Sequence, residues 1–418
     1  MSSHALSGGP APSSSSTAMG FLRVALVLLV IAHHVATAYA PLLPGPVQHF
    51  DGQHMLWGAF PIVSHERSPL FLLMLVINDT FFMALLFLLS GLFVTQSMDR
   101  RGLGGFLGNR LVRLGGPFVL ALVFLAPLAY FPAFMQITGG ANVADFASRW
   151  THLGSLPAGP AWFIWVLLTF DVVAVLLFSI FPGWAMALGR LMPNGARRPA
   201  LFFLVLILLS GVAYIPMAVA FGSQKWSVLG PLNVQTSRIF LYALYFVVGV
   251  VLGAQGLENG LLSSKGGLRR GWWVWVLSSL LVTVVGIGSI AAMSMAKGVP
   301  AGVREAVSGV PFVLCCATFS FAWIAVFLRF VRRPNPVMNS LTANSYGIYL
   351  VHYVFVNWLD YTLLGPSLPA VAKFAIAFVG AAALSWITSA VFRRLSTGRA
   401  PARTHRIDGP VVARGSVR

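Results

Sequence analysis

Apolar residues fill this chain in long runs, separated by short polar stretches rich in glycine, proline or arginine. The runs fall at about 20–40, 69–97, 114–136, 161–181, 200–221, 236–256, 272–295, 306–330, 340–364 and 369–392. A helix of roughly 20 residues is about 30 Å long, the thickness of a bilayer's hydrocarbon core. Each run therefore predicts one membrane crossing. The fold class expected is an all-α integral membrane protein, a bundle of about ten transmembrane helices. The run at 69–97 is longer than a bilayer needs and is expected to tilt or project. No fixed-period repeat is visible.

Composition supports this reading. Of the 418 residues, 57% are hydrophobic and 9% charged, against roughly a quarter charged in soluble domains. The net charge of +18 would suggest nucleic acid in a soluble protein, but its distribution argues otherwise. With a cytoplasmic N-terminus, 20 Lys and Arg fall in the inside loops and the tail, and 7 on the other side. That is the positive-inside pattern. It predicts both termini in the cytoplasm and needs no nucleic acid. Three regions follow: a Ser/Gly/Pro-rich disordered tail over 1–19, a membrane domain over 20–392 and a basic cytoplasmic tail over 393–418. No basic stretch precedes the first apolar run, so residues 1–19 are not read as a signal peptide. Cys315 and Cys316 are adjacent in an apolar run and read as small buried hydrophobes, so neither a disulfide nor a metal site is expected. The segment 41–68, with His49, Asp51, His54, Trp57, His65 and Glu66, is either a substrate cover or a plain loop.

Ionisable groups inside a span are costly and face a cavity or a partner. Arg23 and His34 are eleven residues apart, which is about 20° past three helical turns, so they share a face with His34 roughly 16 Å deeper. This puts Arg23 near the cytoplasmic surface and His34 in the outer half of the membrane. An imidazole can take a proton from a hydroxyl, and an arginine can grip a phosphate. A snorkelling arginine and a hydrogen-bonded histidine fit the spacing equally well. His33, rotated by about 100°, reads as a packing residue. Arg110 and Arg113 share a face at the inner end of the third run, as phosphate ligands or positive-inside anchors. His352 follows Tyr349 by three residues on a hydroxyl-bearing stripe, which suits either a site or interhelical bonding. Asp79 and Asp171 are proton carriers or buried acids held by neighbours. Gly249 and Gly253 form a G-x-x-x-G pattern, which predicts close helix packing. Neither a phosphate-binding glycine loop nor a nucleophile elbow is present. From these residues alone, a transporter or proton-coupled carrier is the rival to an enzyme.

Four ordered segments carry a likeness: FLRVALVLLVIAHHVATAY with its Arg-x10-His spacing, FFMALLFLLSGLFV followed by FLGNRLVRLGGPF, GPAWFIWVLLTFDVV, and NSYGIYLVHYVFV. Together they resemble the membrane-bound acyltransferase-3 family, including its glucans biosynthesis protein C branch, over about residues 20–392. The resemblance implies a multi-pass inner-membrane enzyme moving an acyl group, acetyl or succinyl, onto a hydroxyl. The acceptor it implies is a carbohydrate, an envelope glycan or a lipid-linked sugar. The donor would be acyl-CoA from the cytoplasm, with no permanently bound cofactor. Carried over by position, Arg23 and His34 would be the essential pair, with His34 as general base or acyl carrier. Arg110 and Arg113 would bind the donor with Arg23, and His352 would orient the acceptor or steady the oxyanion. Some members have an acid just before the late Ser-Tyr motif, where this chain has Asn344. A homo-oligomer is left open.

Overall fold

A computed structural model describes residues 13–43, 45, 49–50, 62–153, 156–331 and 333–397. Helix α1 (Ser14–Tyr39) is followed by α2 (Pro69–Gly91). One helical run then continues from Val94 to Thr138. It comprises α3 (Val94–Arg110), α4 (Gly116–Leu120) and α5 (Ala126–Thr138), joined by π-helical turns at Leu111–Gly115 and Ala121–Leu125. Next come α6 (Val143–Thr151), α7 (Trp162–Ile180), α8 (Trp184–Leu191) and α9 (Pro199–Phe221). Strands β1 (Trp226–Leu229) and β2 (Leu232–Gln235) form one antiparallel hairpin. The chain ends with α10 (Ile239–Gln255), α11 (Gly267–Arg270), α12 (Trp272–Met295), α13 (Ala301–Phe330), α14 (Pro336–Thr362) and α15 (Ala370–Thr397).

Among the described residues, nine helices are long and apolar enough to cross a membrane. Helix α14 is as long, at 27 residues, but more polar. The fold is therefore an all-α membrane bundle, with α14 supplying the tenth length of helix. Two faces result. At one, α1 begins and α2 ends beside the arginines, and we call it the arginine face. At the other, α1 ends beside the hairpin.

Local chemistry sets the boundaries. The side chain of Ser13 accepts from the Ser16 amide and starts α1 at Ser14, six residues before the expected span. Residues 1–12 of the expected tail, Asp51, His54 and Trp57, and residues 398–418 lie outside the described residues. Ser68 caps α2, whose first residue is Pro69, a position where the missing N–H costs nothing. The long run expected at 69–97 is divided, because α2 stops at Gly91 and α3 starts at Val94. Residues 98–110, expected in a loop, are helical and kinked at Gly102, whose φ of 71° suits glycine.

Helices α2 and α10 approach to backbone contact. A Cβ on Gly249 would fall on the Leu88 carbonyl, one on Gly253 on the Leu92 carbonyl, and one on Gly91 on the Phe246 carbonyl. The expected small-residue seam is thus real. Helix α1 packs against α2, α13, α14 and α15. Helices α12 and α15 lie outside, with Leu281, Val284, Val379 and Val391 exposed.

At the hairpin face, Gln136 exchanges two hydrogen bonds with the backbone of Val63. The Ser64 amide donates to the Ala38 carbonyl. The Lys373 ammonium lies 2.6 Å from the Glu66 carboxylate. Hydrogen bonds from Lys373 and Ser64 hold Glu66 down at about 2. These contacts tie residues 62–68 over the ends of α1, α5 and α15.

Candidate active site

Two cavities enter the bundle from opposite ends. The first, of about 360 Å³, opens at the arginine face and is lined by Arg23, Arg110, Arg113, Ser90, Ser345 and Tyr346, among others. Arg23 is half-buried. It donates to the Leu89 carbonyl at 3.4 Å, and its guanidinium lies 5.3 Å from the Phe93 ring centre. Arg113 is exposed. Arg110 is not fully available, because its Nε lies 3.1 Å from Oδ2 of Asp171, which is completely buried. Asp171 on α7 is thereby explained as an acid held by a neighbouring helix. Three arginines against one carboxylate leave the cavity with a surplus of positive charge. Arg110 immediately precedes a π-helical turn and Arg113 lies within it, a feature that often marks functional sites.

The second cavity is narrow, about 80 Å³, and approaches from the hairpin face. It is lined by His33, His34, Thr37, Asp79, Trp162 and Trp226, with others. The His34 ring centre is 5.4 Å from that of His352, 5.0 Å from Tyr353 and 5.6 Å from His33. His33 stacks on Phe82 at 5.0 Å. It is a packing residue, as expected, but it also lines the cavity, which the spacing did not reveal. His352 is fully buried. Its Nδ1 lies 2.5 Å from the Tyr349 carbonyl, and only a protonated nitrogen can sit there, as donor. Nε2 is then the lone-pair nitrogen, and it has no partner among the described residues.

The hairpin was not foreseen, although its signal was present. Gly230 and Pro231 form a two-residue turn between Leu229 and Leu232, with Gly230 at φ 58°, as a tight hairpin needs. The Trp165 indole donates to the Asn233 carbonyl at 3.1 Å and fixes the hairpin to α7. Trp226 meets Trp162 edge-on at 5.7 Å and closes one side of the cavity. Just past the hairpin, Arg238 lies 2.5 Å from Asp79, so this second acid is also held by an arginine.

The cavities meet at one side chain. Tyr349 lines both of them, and also a small side cavity shared by Tyr130, His352 and Tyr353. The boundary is the same on each helix. On α1, Val27 faces the arginine cavity and Val30 the histidine cavity. On α2, Leu86 and Met83 divide likewise, as do Phe163 and Trp162 on α7. The Tyr349 hydroxyl donates to the Pro160 carbonyl, and its ring meets Phe163 edge-on at 5.7 Å. The preceding Gly159 takes φ 53°, and a Cβ there would press on the Tyr130 hydroxyl and the Tyr353 ring. The GPAW segment is thus the abutment on which the tyrosine closes.

The bundle is thus a membrane protein with a basic cavity at one face and a histidine-lined cavity at the other. A family model described as an acyltransferase domain, that of the acyltransferase-3 family, matches residues 17–390, and the chain belongs to that family. No curated protein and no solved structure matches it.

Proposed function

We propose that the chain transfers an acetyl or succinyl group from acyl-CoA, bound at the arginine face, to a hydroxyl of a carbohydrate or envelope glycan entering from the hairpin face. The observation that carries this reading is the meeting of the basic and histidine cavities at Tyr349. Arg23, Arg113 and the free edge of Arg110 hold the phosphates of the donor, which pair well with guanidinium groups. The thioester reaches His34 when the Tyr349 ring leaves Pro160. His34, as general base, takes the proton of the acceptor hydroxyl as its oxygen bonds to the acyl carbon. The C–S bond breaks, and the leaving thiolate takes that proton from the imidazolium. His352, its Nδ1 proton held by Tyr349, presents a lone pair beside His34 and orients it or the acceptor.

By the positive-inside pattern, the arginine face is cytoplasmic, with both termini, and the membrane is the inner membrane. A proton-coupled carrier fits less well, because Asp79 and Asp171 are each bound to an arginine. The test is transfer from radiolabelled acetyl-CoA or succinyl-CoA to glycans in membrane vesicles. His34→Ala should lower transfer by at least about a hundredfold with insertion intact. Near-normal transfer in that variant overturns the proposal.

A further inference from the structure

A further cavity, of about 300 Å³, lies beside those already described, between α2, α9, α12 and α13. It is a slot with helical walls. On α13, Glu305, Ser308, Phe312, Cys315 and Phe319 line it at three- and four-residue spacing, which is one helix face. From Glu305 to Phe319 is fourteen residues, or about 21 Å of helix. On α12 the wall is Thr283, Gly286, Ile287 and Ile290. The slot is polar at the hairpin face, near Glu305, Ser223 and Gln224, and apolar at depth. Its rim includes Val76, Ile287 and Ile290, which are 43%, 44% and 48% exposed. In a membrane, that rim faces hydrocarbon, so the slot is open to the bilayer.

Besides Glu305, two charged side chains line the slot. Arg238, 2% exposed, lines the slot, and its Nε has no partner among the described residues. A buried donor left unpaired is costly, and a ligand oxygen would satisfy it. Asp79, bound to Arg238, lines both the slot and the histidine cavity. The Asp79–Arg238 pair is therefore the wall between them.

We propose that this slot binds the hydrocarbon chain of a glycolipid, which enters from the bilayer between α2 and α12. The chain lies along Ile290, Ile287 and Phe312. A headgroup oxygen accepts from Arg238, and Glu305, Ser223 and Gln224 meet the hydroxyls. The sugar is thereby held at the Asp79 wall of the histidine cavity. This rests on the acyl-transfer reading and deepens it, making the acceptor a lipid-anchored sugar delivered sideways from the bilayer.

The test uses a glucosyl diacylglycerol carrying a diazirine in its acyl chain, with the full-length protein in liposomes. After irradiation, label should concentrate on peptides holding 283–290 and 305–319 and be competed by unlabelled glucosyl diacylglycerol, not by phosphatidylcholine. Ile290→Trp, at the rim, and Ser308→Leu, in the wall, should each lower that label about tenfold, the loss expected from excluding about two methylene groups. They should lower acyl transfer to the glycolipid but not to free sugar. Label spread evenly over the lipid-facing helices, equal competition by phosphatidylcholine, or labelling unchanged in both variants overturns the proposal. Absence of all transfer with slot-specific labelling retained would instead count against the acyl-transfer reading alone.

Discussion

Tyr349 is the side chain through which the two cavities meet, and its removal makes the sharpest prediction. In the closed arrangement its hydroxyl donates to the Pro160 carbonyl and its ring rests on Phe163. Tyr349→Phe keeps the ring and removes the hydrogen bond. Such a bond contributes about 1 kcal/mol net, so the open arrangement should become about fivefold more populated. Tyr349→Ala removes the ring and joins the cavities outright. The assay places a cysteine at Thr37, which lines the histidine cavity, while native Cys315 and Cys316 are buried elsewhere. A membrane-impermeant thiol reagent is added from the arginine face of oriented vesicles. Labelling should be slow with Tyr349 present, about fivefold faster in the Phe variant and faster still in the Ala variant. Acyl-CoA hydrolysis without acceptor should rise in the same order, because water then reaches the thioester. Equal labelling in the parent and the Ala variant would refute the idea that this tyrosine divides the donor side from the acceptor side.

The arginines should separate by partner. Arg113→Ala should raise the KM for acyl-CoA about tenfold, the value of one charge-assisted hydrogen bond, with little change in yield. Arg110→Ala strands the buried Asp171 carboxylate and should cost about 3–5 kcal/mol, read as lost yield of folded protein. The double change Arg110→Leu, Asp171→Leu should recover folding but not donor affinity. Gly249→Ala should destabilise the bundle by about 1–3 kcal/mol, seen on thermal unfolding in detergent, since the new methyl falls on the Leu88 carbonyl. Glu258 links the start of α1 to the segment after α10. Burial alone would raise its pKa, but hydrogen bonds from Ser264 and Ser15 outweigh that and hold it at about 2 rather than 4.5. Its folded value is depressed, so its contribution is complete above about pH 4.5 and fades as pH falls towards 2. Proteolysis near Ser15 should rise over that window in the parent, and Glu258→Gln should remove this pH dependence.

Much of the fold was legible because a membrane crossing is written in length and apolarity alone, and the α2–α10 seam because two glycines four apart have few other uses. The eleven-residue spacing of Arg23 and His34 set them on one face of α1 at different depths, and in the structure each lines a different cavity. What stayed hidden depends on other elements. Nothing near Arg110 says that it is half committed to Asp171, 61 positions away. Nothing near Asp79 names Arg238. The dividing role of Tyr349 exists only where α1, α2, α7 and α14 meet. The hairpin was missed because Gly230–Pro231 sits between strands of four residues each, too short for alternation to be read among so many apolar runs. Its glycine was the usable signal.

Helix α14 shows why the chemistry gathers where it does. It is a long helix that falls short of the apolarity of the nine crossing helices, because it carries Asn344, Ser345, Tyr349, His352, Asn357 and Asp360. All six are buried, and from Ser345 onward they recur every three to five residues, so this polar stripe points inward. Such a helix is stable in a bilayer only when other helices surround that stripe and supply partners. Tyr39 does so for Asp360 at 3.0 Å, Pro160 for Tyr349 and Ser389 for Asn344. Among the described residues, His352 keeps a ring nitrogen and Asn357 a side-chain amide nitrogen without a hydrogen-bond partner. In a helix whose other polar groups are mostly bound, an imidazole nitrogen without a partner among the described residues, on a ring centred 5.4 Å from that of His34, is an energetic cost that structure alone does not require. That cost is accounted for if a substrate hydroxyl completes the pair.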